Sequence, residues 1–117
     1  MKSLLIISRH PPARLAAREA LDMALAAAAF GVPVGLLFMD DGVLQLLKGQ
    51  DASLIEQKSL AANLQALPLF GVEDLLACQR SLSTRGLTLE HCALPVRALE
   101  GVEITTLMEH YDQIINL

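Results

Sequence analysis

Cys78 is the residue of this chain best placed by type and position for covalent chemistry. It ends the apolar run Leu75-Leu76-Ala77-Cys78, and Arg80 and Arg85 follow it across a polar segment. A thiol becomes a useful nucleophile when a helix N-terminus or nearby cations lower its pKa from about 8.5. The segment Gln79 to Thr84 offers a turn or short helix, and the two arginines are candidate thiolate stabilisers. A cysteine closing an apolar strand also reads as a small core residue, and on the residues alone both readings stand. A second candidate is the edge Asp40-Asp41-Gly42, where the apolar run ending in Phe38-Met39 stops at two acids and a glycine before Val43-Leu44-Gln45-Leu46-Leu47 begins. In an open α/β sheet the loops at the carboxyl ends of strands are where ligands and partners are met, so Asp40, Asp41 and Gly42 form a candidate binding turn.

Other chemistries find little support. A nucleotide or flavin phosphate is held by several backbone N–H groups after the first strand, whereas the loop Ser8-Arg9-His10-Pro11-Pro12 contains two prolines, which present none. Metal binding needs clustered ligands. Asp40 and Asp41 are adjacent and tend to point apart when extended, His91-Cys92 is an isolated pair, and His10 and His110 stand alone. No metal and no cofactor is expected.

The elements that position these residues follow from the apolar pattern. Leu4-Leu5-Ile6-Ile7 and Val34-Gly35-Leu36-Leu37-Phe38-Met39 read as strands buried on both faces, with Leu75 to Cys78 as a third. Cys92 to Val96 is a fourth candidate, edge-like or irregular because Pro95 lacks a ladder donor; Gln113 to Leu117 is the last. Helices are expected from about Ala13 to Phe30, from Leu54 to Leu67, and from Gly101 to Tyr111, with a short helical turn at Val43 to Leu47. Ser53 with Glu56 fits a capping box for the second helix, after the polar break Lys48 to Asp51, and Gly31 suits the end of the first. Met23 to Phe30 carries no polar side chain. One face of that stretch can pack on a sheet; covering the rest calls for a partner subunit. Strands alternating with helices at this spacing predict an α/β fold, a three-layer α/β/α sandwich around about five mostly parallel strands.

Composition sets the outer bounds. At 117 residues the chain fits one domain, residues 1–117. Hydrophobic residues reach 53% against 19% charged, which also argues for a subunit interface. A net charge of -4, with nine scattered Lys and Arg, offers no basic stripe for a nucleic-acid backbone, so protein partners are expected. No apolar run reaches the roughly 18 residues that a membrane span needs. The opening residues are too short and too strand-like for a signal peptide, which points to the cytoplasm, and both cysteines read as free thiols.

Several stretches resemble one family. Met39-Asp40-Asp41-Gly42-Val43-Leu44-Gln45-Leu46-Leu47-Lys48-Gly49-Gln50 is similar to the Asp-Gly-Val-x-Gln-Leu-Leu-x-Gly-Gln signature of the DsrF/TusC branch of DsrE-like proteins. Ala17 to Asp22, Cys78 with Ser81-Leu82 and Arg85-Gly86-Leu87, and Tyr111-Asp112 fit the same family. The resemblance implies the C-type subunit of a sulfur relay, a two-by-three heterohexamer with TusB-like and TusD-like companions. That assembly moves persulfide sulfur from a TusA-like to a TusE-like carrier for 2-thiouridine synthesis at the tRNA wobble position; a DsrF-type role in sulfur oxidation is its counterpart. The family's persulfide cysteine falls at Cys78, yet in this branch that position is not regarded as the essential carrier. Gln79-Arg80 stands where relatives have small residues, and Pro11-Pro12 where they tend to have glycine. Three functions follow: a structural subunit of the relay, a persulfide carrier acting through Cys78, or a small-ligand α/β module outside sulfur metabolism.

Overall fold

Five short apolar runs become strands, and all of them point the same way. In the computed structural model, which describes residues 2–48, 55–72 and 74–117, they are β1 (Leu4–Ser8), β2 (Val34–Phe38), β3 (Asp74–Cys78), β4 (Arg97–Leu99) and β5 (Gln113–Asn116). They pair in the order β4-β3-β2-β1-β5, every neighbouring pair parallel. The helices are α1 (Leu15–Ala29), α2 (Ile55–Ala66), α3 (Gln79–Thr84) and α4 (Gly101–His110). A parallel sheet needs cover on both faces, and that is why β1 and β2 are apolar at nearly every position.

Alternation along the strands sorts the core into two halves. Leu4, Ile6, Leu36, Phe38, Leu75 and Ala77 face one side, where Ala17, Ala20, Leu21 and Ala24 of α1 meet Leu60 and Leu64 of α2. The small alanines let α1 lie close to the sheet. Leu5, Ile7, Leu37, Leu76, Cys78 and Leu99 face the other side, beneath Ile104 of α4 with Leu107, Met108 and Tyr111 around it. The result is the expected α/β/α sandwich, with the sheet parallel throughout.

Two local expectations change. The fourth strand is Arg97–Leu99, not Cys92 to Val96: Pro95 has no N–H to give a ladder, and the earlier segment is tied instead to the edge turn, through Ala93 N–H to the Leu46 carbonyl at 2.7 Å. The short turn expected at Val43 to Leu47 is a 3₁₀ helix over Asp40–Leu46. Its Val43 and Leu46 are fully buried in the chain's own core. The second half of α1 is not enclosed within this chain, because a helix lying on a sheet buries one face only; Ala26 and Ala29 are exposed and Phe30 is 82% exposed. Gly31 does follow the helix with φ of 79°, a conformation that suits glycine. The polar break around Gly49, Gln50 and Asp51 and the capping box of Ser53 with Glu56 lie outside the described residues and side chains.

Candidate functional site

The carboxyl edge of the sheet is held by a chain of polar contacts built on the Asp40-Asp41-Gly42 turn. As β2 ends, the Met39 N–H donates to the Ser8 carbonyl at 3.0 Å and the chain swings into the 3₁₀ helix. Asp40 takes a left-handed φ of 51°, uncommon for a residue with a side chain but most often tolerated by Asp and Asn. Two positions on, a Cβ on Gly42 would run into the Ser8 carbonyl oxygen, so glycine is demanded there by close backbone approach. Gln45, buried among apolar neighbours, donates from Nε2 to the Ser8 hydroxyl and to the His10 carbonyl, each at 2.8 Å. Ser8 is buried too, and this contact meets its hydrogen-bonding need.

The two acids are matched by cations of the same chain. Arg9 donates from Nη1 to Asp40 Oδ2 at 2.8 Å and from Nε to Asn116 Oδ1 at 2.6 Å, joining the ends of β1, β2 and β5. Arg85 grips Asp41 Oδ1 from Nε and Nη2 at 3.1 and 2.8 Å and also donates to the Ser81 carbonyl. The Ser81 hydroxyl accepts the Asp40 backbone N–H at 2.9 Å. All four charged side chains are partly exposed, so each pair contributes no more than about 1 kcal/mol. Their effect is to fix geometry.

Cys78 stands where the sequence places it, at the end of β3 with α3 beginning at the next residue. Its side chain packs into the α4-side cluster with Leu76, Leu99 and Ile104, and only 7% of the residue is exposed. Leu82 of α3 and the Val43–Leu46 turn pack on the opposite side. Arg85 is occupied by Asp41, and Arg80 is exposed. Cys92 lies in the other core half, and both thiols are free. Burial pushes the Cys92 thiol above its ordinary pKa, with Lys48 opposing weakly.

The opposite edge of the sheet is latched by Tyr111 and Asp112. Tyr111 lies across Gly35, where any Cβ would meet its hydroxyl, and donates to Asp74 Oδ2 at 2.9 Å. Burial first, then the Asp74 carboxylate, push the phenol's pKa well above the usual tyrosine value. Asp112 accepts from the Ser3 N–H at 2.8 Å and from its hydroxyl, which holds its carboxyl below the ordinary range. Sequence reasoning missed Ser8, Arg9, Gln45, Ser81 and Asn116. The available signal was Gln45 itself, one polar residue inside an apolar turn, since a polar group in such company must have a partner.

Two open grooves of about 330 and 310 Å³ lie away from this edge network. One runs between β4 and α4 past Leu99 and Val102; the other touches Arg14, Leu15 and Arg18 at the start of α1. Neither is lined by Cys78, Asp40 or Asp41. Among the described residues no three His, Cys, Asp or Glu side chains converge as metal ligands would, and no helix is long and apolar enough to cross a membrane.

Comparison with known proteins gives this geometry a context. The model of the DsrE/DsrF-like family matches residues 1–117. A Pseudomonas aeruginosa protein named "Protein TusC homolog" is 54% identical over 117 residues, 99% of this chain and 98% of that protein. Proteins of the same name from Aliivibrio fischeri and Vibrio vulnificus are 33% and 32% identical, over 84% and 91% of this chain and 83% and 90% of theirs. Among solved structures, the ychN protein from E. coli superposes over 100% of both chains with a TM-score of 0.76 at 20% identity, a likeness of fold.

Proposed function

This chain belongs to the DsrE/DsrF-like family, and from that premise we propose that it is a structural subunit of a heteromeric sulfur-relay complex, the TusC-type component. Its companions are TusB-like and TusD-like subunits in a cytoplasmic heterohexamer, and TusA-like and TusE-like carriers deliver and collect the sulfur. The pathway is 2-thiouridine synthesis at the tRNA wobble position; the naming of its relatives favours this over a DsrF-type role in sulfur oxidation.

The observation that carries this reading is that the family-like signature is consumed by architecture. Gly42 meets the Ser8 carbonyl, Gln45 binds Ser8 and His10, and Asp40 and Asp41 are paired with Arg9 and Arg85. Each polar side chain of that set has a partner within the chain, with Asp40 and Asp41 still more than half exposed. At the same time Leu15, Phe30, Leu69 and Phe70 are 72%, 82%, 88% and 57% exposed. Large apolar side chains held in water at this density favour burial against other subunits. In this role the subunit contributes a rigid sheet edge and contact area, while sulfur travels on cysteines of its companions.

The competing reading has Cys78 as a carrier. Its thiolate would attack the outer sulfur of a donor persulfide, the donor's S–S bond would break, and the donor would leave as a thiolate. Its place at the carboxyl end of β3 favours this; its burial under α4 does not. Coexpression with the companion subunits followed by size-exclusion chromatography tests the assembly. A stable complex containing this chain is expected, together with association or precipitation of the chain expressed alone. A well-behaved monomer at high concentration that ignores its companions would overturn the proposal.

A further inference from the structure

Asp41-Gly42 is the one place in the sequence where an aspartate or asparagine precedes a glycine. Such a pair is chemically labile in a flexible chain, because glycine has no side chain to keep its backbone nitrogen away from the preceding carboxyl carbon. That nitrogen attacks Asp41 Cγ, the hydroxyl of the carboxyl group leaves with the amide proton as water, and a five-membered imide closes. Water then opens the imide at one of its two carbonyls. One opening restores aspartate; the other leaves isoaspartate, with the backbone running through the former side chain. The sum needs no oxidant and no cofactor.

Three features of the fold oppose the first step. The Gly42 N–H is given to the Met39 carbonyl at 2.8 Å as the 3₁₀ helix Asp40–Leu46 begins. A 3₁₀ helix holds ψ at roughly −20 to −30°, and the imide closes only when ψ of the aspartate leaves the helical range. Gly42 is also buried, with the Ser8 carbonyl lying where its Cβ would be, so its nitrogen has little room to turn. From the other side, Arg85 holds Asp41 Oδ1 through Nε and Nη2 at 3.1 and 2.8 Å, and its Nη1 is anchored on the Ser81 carbonyl. Exclusion of water plays no part in this protection, since the Asp41 side chain is 54% exposed.

We propose that Asp41-Gly42 is an isoaspartate-forming site that the folded edge holds shut, with Arg85 as its latch, and that it reacts only through local opening of the turn. The restraints on Gly42 belong to the turn itself. Arg85 instead reaches in from the end of α3 and is partly exposed, so it is the restraint that can be lost while the turn stands. The modification damages the edge. Isoaspartate lengthens the backbone by one methylene directly ahead of Gly42, where the Ser8 carbonyl leaves no slack, and the bonds of Gln45 to Ser8 and His10 depend on that path. This is a chemistry of ageing, apart from sulfur transfer, and it stands or falls independently of the relay reading.

Isoaspartate has the same mass as aspartate, so the readout is electron-transfer fragmentation of the peptide carrying Asp41, after timed incubation of the full chain at neutral pH and physiological temperature. Formation is expected to be at least about ten-fold slower in the folded chain than in the same chain unfolded in guanidinium. Arg85→Gln removes only a partly exposed ion pair, so the fold is expected to persist, which circular dichroism checks. It should raise the folded-state rate several-fold. Arg9→Gln, which frees Asp40 at the same edge and leaves the Arg85 grip in place, separates loss of the latch from general loosening and should raise the rate less. Equal rates in the folded and unfolded chain overturn the proposal. So does an Arg85→Gln rate no higher than that of the unsubstituted or the Arg9→Gln chain.

Discussion

Gly42 and Gln45 hold the carboxyl edge through contacts that no substitute reproduces. Gly42→Ala places a methyl group against the Ser8 carbonyl, and a loss on the order of 1–3 kcal/mol is expected in denaturant unfolding. Gln45→Leu leaves the buried Ser8 hydroxyl without its donor, with a similar expected cost of about 1–3 kcal/mol. The thiols give a reactivity test: burial raises the Cys92 pKa, so little reactive thiolate forms at neutral pH. Alkylation of Cys92 is expected to be slow in the folded chain and rapid after unfolding, read by mass spectrometry. Tyr111 sets a pH dependence. Its folded-state pKa is raised, so its contribution is complete below the ordinary tyrosine value of about 10 and is lost as pH rises above it. Tyr111→Phe should flatten that alkaline fall while costing about 1 kcal/mol at neutral pH. At this scale the sequence singled out the turn but not its partners. Arg9 and Arg85 reach Asp40 and Asp41 across 31 and 44 positions, and pairing at such separation leaves no periodic trace.

Strands were the most legible elements, because burial on both faces forces continuous apolar runs and a proline marks where one cannot form. The run from Cys92 to Val96 misled for a physical reason: its apolar side chains do enter the core, but its backbone bonds to the edge turn instead of a ladder. The uniform apolarity of α1 was legible as well, while its outer face could not be assigned to a neighbour from one chain. That face and the Leu67–Phe70 turn carry a prediction. Phe30→Ser with Leu69→Ser changes side chains that are 82% and 88% exposed, so stability should move by no more than about 0.5 kcal/mol. Solubility of the isolated chain should rise, and recovery with the companion subunits should fall. Unchanged recovery would move the interface elsewhere on the molecule.

For the whole molecule, the sandwich was legible from the spacing of its elements, and the partner surface was suggested by an excess of apolar residues over what one small core accepts. The candidate site changed meaning between the two views. On topology the Asp40-Asp41-Gly42 edge is a place for ligands; in three dimensions its hydrogen-bonding groups close on Ser8, Arg9, His10, Ser81 and Arg85. Cys78, the remaining chemical candidate, is packed beneath α4 on the other face of the sheet. On the proposed function, this subunit shapes a sulfur relay without carrying sulfur. The most direct test of that role is sulfur transfer from a persulfide donor through the assembled complex, with Cys78→Ser in this chain and the mass of each subunit followed in parallel. A complex that still transfers sulfur is expected, with no one-sulfur mass gain at Cys78 in the unsubstituted chain; transfer abolished by Cys78→Ser, with a stable one-sulfur adduct on Cys78, would make this subunit a carrier instead.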